Sequence, residues 1–205
     1  MAARSRKSKQ DRRTQLLEAA QELFVERGYV ATSVDDIVGR VQVARGTFYL
    51  YFPDKRALLA ALVDGFFERI SLAIRSIDLS PQAAPPLVQL RDNLERLCDL
   101  ALGEPKLMKI LLYDVPGLDA ELDAKLRQFY AALRIYLEES LEEGQRIGLV
   151  RSGDRALMVA LGIGALKEIF LTAASDTNAP RTATEITDEI LRFFSSGLLA
   201  RAEPE

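Results

Sequence analysis

Apolar residues recur every three or four positions along almost the whole chain. No alternating run long enough to make a strand interrupts them, so the pattern predicts an all-α protein. Between Gln10 and Arg27 the stripe is Leu16, Leu17, Ala20, Leu23 and Phe24, and Gly28 supplies a helix stop. Ser33-x-x-Asp36 is an acidic variant of a capping box set ahead of Ile37 and Val38. From Pro53 onward Leu59, Leu62, Val63, Phe66, Ile70, Ala73, Ile74 and Ile77 keep helical spacing, which predicts one long helix over 54–77. The segment DLSPQAAPP ends it. Further helices are predicted near 86–103, 105–114, 119–147, 153–174 and 182–201, separated by Gly103-Glu104-Pro105, Pro116-Gly117, 148–153 and SDTNAPRT.

The last two helices carry more apolar surface than one core face requires. The penultimate one is apolar nearly all round, with Leu157, Val159, Leu161, Ile163, Leu166, Ile169, Phe170 and Leu171, and must be covered on several sides. The final one adds Ile186, Ile190, Leu191, Phe193, Phe194, Leu198 and Leu199. Burial within one monomer competes with a subunit interface. We take the interface as the expectation and place Leu161, Ile169, Ile190, Phe194 and Leu198 in it. The pair Gly162-x-Gly164 is read as permitting close helix packing.

Ser33 to Lys55, SVDDIVGRVQVARGTFYLYFPDK, reads as two short helices joined by a tight turn near Val41 to Val43, which is helix-turn-helix geometry. Phe48 and Phe52 stand four apart and mark the pinned face of the second helix, so Gly46, Thr47, Leu50 and Tyr51 point away from it, with Arg45 and Tyr49 on the shoulder. Gly46 has no side chain to keep a phosphate from the backbone N–H groups. Thr47, Tyr49 and Tyr51 offer hydroxyls, and Arg45 reaches guanine or phosphate. Lys55 is expected to add a phosphate contact, and Ser33 joins the candidate DNA-binding set.

Charge supports a polyanionic partner. Residues 1–60 hold 11 Lys/Arg against 7 Asp/Glu, a net of +4, while the remainder holds 16 against 23, a net of −7. Arg4, Arg6, Lys7, Lys9, Arg12 and Arg13 crowd the first 13 residues, a basic head on an acidic body that competes with the plainer reading of a solvated tail. With no His, the single Cys98 and no phosphate-binding glycine motif, no metal set, cofactor cradle or catalytic residue is expected, and the chain is not read as an enzyme. Neighbouring carboxylates such as Glu138-Glu139 fall on the polar side of a long helix and read as a solvated face. The run from Leu157 to Ala165 stops at Lys167 and Glu168, short of the roughly 20 residues of a membrane span. Without a secretory pattern, a cytoplasmic location is expected.

The run ARGTFYLYFPDKRALL, preceded by LFVERGYVATSVDDIV, resembles the DNA-binding domain of the TetR family of bacterial transcriptional regulators over about 50 residues. The resemblance implies a nine-helix, Ω-shaped homodimer with an interface from the last two helices of each subunit, and middle helices enclosing a pocket for a small effector. The division is then 1–53 for the basic arm and helix-turn-helix and 54–205 for effector binding and dimerisation, with 54–77 connecting them. Candidates for the pocket wall are Phe66, Tyr113, Tyr130, Arg134, Lys167 and Glu168, although a surface or intersubunit charge pair competes for Lys167 and Glu168. The implied function is repression of an operator in double-stranded DNA, relieved by a hydrophobic or amphipathic effector. An architectural DNA-binding protein without effector control is the alternative. Two positions depart from the family pattern: Gln42 stands where the turn usually has Gly, and Ala44 where Ser usually caps the recognition helix.

Overall fold

The computed structural model describes residues 2–115, 117–175 and 181–197, and among these there are nine α-helices, one π-helical turn and no strand. The helices are α1 (Ala2–Arg27), α2 (Val34–Val41), α3 (Arg45–Tyr49), α4 (Lys55–Ala73), α5 (Pro86–Gly103), α6 (Pro105–Lys109), α7 (Ala120–Arg146), α8 (Arg155–Ser175) and α9 (Ala183–Gly197). The π-helical turn, Ile110–Asp114, continues α6. The all-α expectation and its order of elements hold.

The apolar stripe of α1 supplies Leu16, Ala20, Leu23 and Phe24 to a core shared with Ile37 and Val38 of α2, Phe48 of α3, and Leu58, Leu59 and Val63 of α4. That core continues without a break into Leu107, Met108, Leu122 and Leu126, so α6 and α7 rest directly on the first four helices. Gly28 takes φ +83° and its N–H bonds the Phe24 carbonyl at 2.8 Å, ending α1 where the sequence predicted. Buried Thr32 then closes the turn, its hydroxyl donating to the Gly28 carbonyl at 2.8 Å. A second, smaller core joins Leu94 and Cys98 of α5 to Ala183, Ile186 and Ile190 of α9.

The long connecting helix is shorter than predicted. It ends at Ala73, and Ile74 already has extended backbone (φ −84°, ψ 119°). Apolar spacing could not reveal why, because the cause is polar and distant. The side chain of buried Asn93 on α5 pairs with both backbone groups of Arg75, accepting from its N–H at 2.9 Å and donating to its carbonyl at 2.7 Å. Arg96 donates to the Ala73 carbonyl at 2.9 Å, and Gln89 repeats the Asn93 pattern one turn earlier with Asp78 (2.7 and 2.8 Å). These bonds satisfy a non-helical strap along α5, where helix would leave Asn93 unpartnered.

Arg155–Ala173 of α8 is long and apolar enough, by length and composition alone, to cross a membrane. Little of it is buried, and Leu157 and Leu161 are 60% and 63% exposed. Nor do Gly162 and Gly164 pack closely within the protomer, since a Cβ at either would meet nothing within 4 Å.

Candidate functional site

The helix-turn-helix is fastened to α1 by charge as well as by its core. Arg40 at the end of α2 reaches Glu26 at 2.7 Å and Glu22 at 3.0 Å, and Arg27 meets Asp36 at 3.0 Å. The Arg40 guanidinium beside Glu26 holds that carboxyl below its usual range. Asp36 is also the acid of the predicted capping box: its N–H donates to Ser33 Oγ at 3.1 Å while its carboxylate accepts from the Ser33 N–H at 2.8 Å. These bonds and Arg27 lower the Asp36 pKa, the Ser33 hydroxyl contributing most. Ser33 is thus first of all a helix cap.

The turn between α2 and α3 is a Schellman motif. Val43 N–H donates to the Val38 carbonyl at 3.0 Å and Gln42 N–H to that of Gly39 at 3.2 Å, with Gln42 in the left-handed region at φ 57°, ψ 48°. Gln42 thus takes, without being glycine, the left-handed backbone that favours glycine. Ala44 caps α3 with backbone alone and makes no side-chain bond.

On α3, Phe48 is fully buried and Phe52 nearly so, which fixes the opposite surface as the outward one. Arg45 and Gly46 are exposed, Thr47 is half-buried, and Tyr49 and Leu50 are 47% and 73% exposed. The Arg45 guanidinium lies 3.1 Å from Asp35 and donates to the Tyr49 hydroxyl at 3.4 Å, so it is held over the shoulder of the helix. Tyr51 is half-buried and packs on the core, leaving it less presented than predicted.

Lys55 requires a correction. Its ammonium donates to the carbonyls of Tyr29 and Thr32, both at 2.6 Å, and stands 4.1 Å above the Tyr29 ring. Burial pushes its pKa below the ordinary lysine value. It is a clamp joining the start of α4 to the α1–α2 turn rather than a cation held out for phosphate. The sequence contained no signal for this, because the acceptors are backbone atoms 23 and 26 residues away.

The C-terminal half contains an apolar cavity in two adjoining lobes. The first, about 230 Å³, lies between α4, α5, the π-helical turn, α7 and α8, with Phe66, Phe67, Leu111, Phe129 and Tyr130 in its wall. The second, about 250 Å³, runs on toward α9 and the turn at 147–150 and is walled by Ile147, Val150, Met158, Gly162 and Phe194. Leu90, Leu137, Ile163 and Leu166 border both. Phe67 stacks on Phe129 with ring centroids 4.0 Å apart, and α4 is bridged to α7 by Lys125–Asp64 at 2.8 Å and by Arg56 with Asp119 and Glu121 at 3.5 and 3.2 Å.

Of the predicted pocket residues, the structure brings together Phe66, Tyr130 and Lys167 in the first lobe and Arg134 beside them at its mouth. Glu168 lines neither lobe and is exposed, since it sits one position beyond Lys167 and turns off the cavity face. The side chain of Tyr113 lies outside the described residues. Sequence reasoning missed the second lobe, whose wall draws on a loop and on Gly144.

The expected interface residues also divide. Leu161 is exposed, as are Leu157 on the same helix and Phe193 on α9, the last 70% exposed. Ile190 is a correction: it is 3% exposed and buried against α5 in its own protomer, so it has no surface to offer a partner. Ile169 and Phe194 are half-buried against the same core, and Leu198 lies outside the described residues. The outward side of α9 is therefore the Phe193 side.

Residues 16–62 match the family described as bacterial regulatory proteins, tetR family. The transcriptional regulator EthR of Mycolicibacterium smegmatis is 36% identical over 84 residues, 39% of each chain. The fatty acid metabolism regulator protein of Bacillus subtilis is 26% identical over 198 residues, covering 94% of this chain and 98% of that protein. In fold, the crystal structure of the regulator FadR from Bacillus subtilis in complex with stearoyl-CoA superposes with a TM-score of 0.71 at 24% identity, over 90% of this chain and 98% of that one. The matched segment is the helix-turn-helix together with the two helices that grip it, and on that ground this N-terminal part of the chain is similar to the DNA-binding domain of the tetR family of bacterial regulatory proteins.

Proposed function

We propose that this chain is a cytoplasmic, homodimeric repressor that leaves its operator when a hydrophobic or amphipathic effector fills the two-lobed cavity. The observation that carries the reading is the position of α4. One helix contributes Lys55 to the clamp on the helix-turn-helix and, three to four turns later, Phe66, Phe67 and Ile70 to the cavity wall. A ligand entering between these residues and α7 must part or shift the Phe67–Phe129 stack. Because α4 is stiff along its axis and locked to the head, that displacement is carried to α3. A DNA-binding protein without effector control would need no such cavity.

Arg45 and Tyr49 on one shoulder of α3 and half-buried Thr47 on the other flank the exposed Gly46 and Leu50, which suits entry of that helix into the major groove with Gly46 leaving room for the backbone at its start. The exposed side chains Leu157, Leu161 and Phe193 would be covered by a second copy, and a dimer suited to two half-sites would hold its recognition helices about one helical turn of DNA apart, ~34 Å. Regulators of this fold are described in complex with stearoyl-CoA and in complex with isovaleryl coenzyme A and operator DNA, which agrees with this reading.

The test is binding to a duplex selected from a random pool, followed by fluorescence anisotropy. Thr47→Ala and Tyr49→Ala are expected to weaken the selected duplex by about 1–3 kcal/mol and random DNA much less. Equal loss on both would remove α3 as the reading element.

A further inference from the structure

The cavity has one charged end. Along the walls of the two lobes the polar side chains are mostly engaged within the protein: Asn93 with the Arg75 backbone, Ser140 with the Tyr136 carbonyl at 2.8 Å, Ser195 with that of Arg192 at 2.9 Å, and Glu143 with Arg146. The surface left for a ligand is therefore aliphatic and aromatic. At the α7–α8 end the first lobe meets an open depression of about 520 Å³, sharing Leu126, Tyr130, Ile163 and Lys167 with it. The rest of that depression brings Arg127 and Arg134 and a single carboxylate, Asp123.

Neither arginine has an ion-pair partner among the described residues, and Lys167 lies 5.2 Å over the Tyr130 ring instead of on a carboxylate. Three such cations at one mouth run against the net charge of −7 in this part of the chain. The arrangement differs from Arg155 and Arg146, which pair with Glu142 and Glu143 on the same α7–α8 pair of helices. Gly162 lines the second lobe and not the first, and a Cβ there meets nothing within 4 Å.

We propose that the effector is an unbranched aliphatic chain carrying an anionic head. The head is held by Arg127, Arg134 and Lys167, and the chain passes Ile163 and Leu166 into the second lobe, whose depth selects chain length. The inference rests on the reading of the cavity as the effector site and names the ligand class it takes. An anion at the mouth gains charge-assisted bonds that a neutral head cannot make. The apolar walls of both lobes suit an aliphatic chain, whose burial removes apolar surface from water. Free carboxylates and acyl thioesters of a phosphate-bearing carrier share this chemistry.

The test is calorimetric titration of the full-length protein with saturated fatty acids of increasing length, their methyl esters and their coenzyme A thioesters, with coenzyme A alone as control. Affinity should rise about 4-fold per added methylene, the equivalent of about 0.8 kcal/mol, until the second lobe is full, and then level off. The charged forms should bind about ten-fold or more tightly than the methyl ester of the same chain. Arg127→Gln with Arg134→Gln should erase that advantage and leave the ester unchanged. Gly162→Leu should bring the plateau to shorter chains while the shortest binder keeps its affinity, and Gly162→Ala, which adds only the accommodated Cβ, checks that α8 tolerates a side chain there.

Tighter binding of the thioester together with competition by coenzyme A identifies a phosphate carrier at the mouth, and tighter binding of the free acid identifies a carboxylate. Esters binding as tightly as acids, affinity independent of length, or a plateau unmoved by Gly162→Leu would each overturn the proposal. Release of DNA is measured separately. A neutral compound that binds and releases DNA overturns the ligand class and leaves the repressor reading standing, whereas a fatty anion that binds as described without changing DNA affinity refutes release and leaves the ligand class standing.

Discussion

Replacing Gln42 by Gly is expected to stabilise the protein. Gln42 sits at the C′ position of a Schellman motif with φ 57°, ψ 48°, and its side chain is exposed, so substitution changes backbone energetics and little else. A non-glycine residue held left-handed costs about 1–2 kcal/mol. Glycine removes that cost but gives the unfolded chain extra freedom worth about 0.4–1 kcal/mol. The difference is a net gain of about 0.5–1 kcal/mol, which for a chain of this size raises Tm by about 1–4 °C. Gln42→Ala should be neutral within about 0.5 kcal/mol, and Gln42→Val should cost about 1 kcal/mol because a β-branched side chain tolerates positive φ worst. Urea denaturation followed by far-ultraviolet circular dichroism ranks the three variants. Loss of stability in the glycine variant, or a valine variant equal to the parent, would refute the left-handed turn.

Lys55→Met should cost about 2 kcal/mol by leaving two carbonyls without their charged donor, yet leave unchanged the slope of log K against log salt for DNA; a slope shallower by about 2, one contact for each subunit of the dimer, would restore Lys55 as a phosphate ligand. Asp36 is held below its ordinary value of 3.8 by Ser33 and Arg27, so its stabilising effect is present above that value and is lost as pH falls through the lower folded value. Asp36→Asn should therefore destabilise the protein more at pH 7 than near pH 2, as denaturant titrations at both pH values would reveal. Leu161→Glu or Phe193→Glu should give a folded monomer by sedimentation, because both side chains are exposed in one protomer, whereas Ile190→Glu should unfold the chain by burying a charge beside Leu94 and Cys98.

Local features of the sequence were the most legible. The capping box at Ser33 and Asp36, the stop at Gly28 and the Phe48–Phe52 face each depend on residues within a few positions of one another, and each was found where the pattern put it. The chemistry that went unread depends on distant backbone. Asn93 and Gln89 are unremarkable polar residues on α5 until they meet the backbone of Arg75 and Asp78, and that meeting shortens α4. Lys55 fell to the same difficulty, since its acceptors are carbonyls of the α1–α2 turn. In the C-terminal half, helical period identified apolar stripes but could not divide them among core, cavity and outer surface. Ile190 and Phe193 are three apart on α9, yet one is buried on α5 and the other is bare. The cavity was legible through Phe66 and its amphipathic members, Tyr130, Arg134 and Lys167, and hardly beyond them, because its aliphatic wall has the same composition as a core.

The central claim is that cavity and recognition helix are coupled through α4, and coupling is reciprocal by thermodynamic necessity. The direct measurement is a pair of titrations: labelled selected duplex against protein with and without saturating effector, and effector against protein with and without duplex. The account predicts a DNA affinity weakened about 5- to 150-fold by effector, equivalent to about 1–3 kcal/mol, and an effector affinity weakened by the same factor when DNA is bound. Identical DNA affinity in the presence and absence of a ligand shown to occupy the cavity would contradict it.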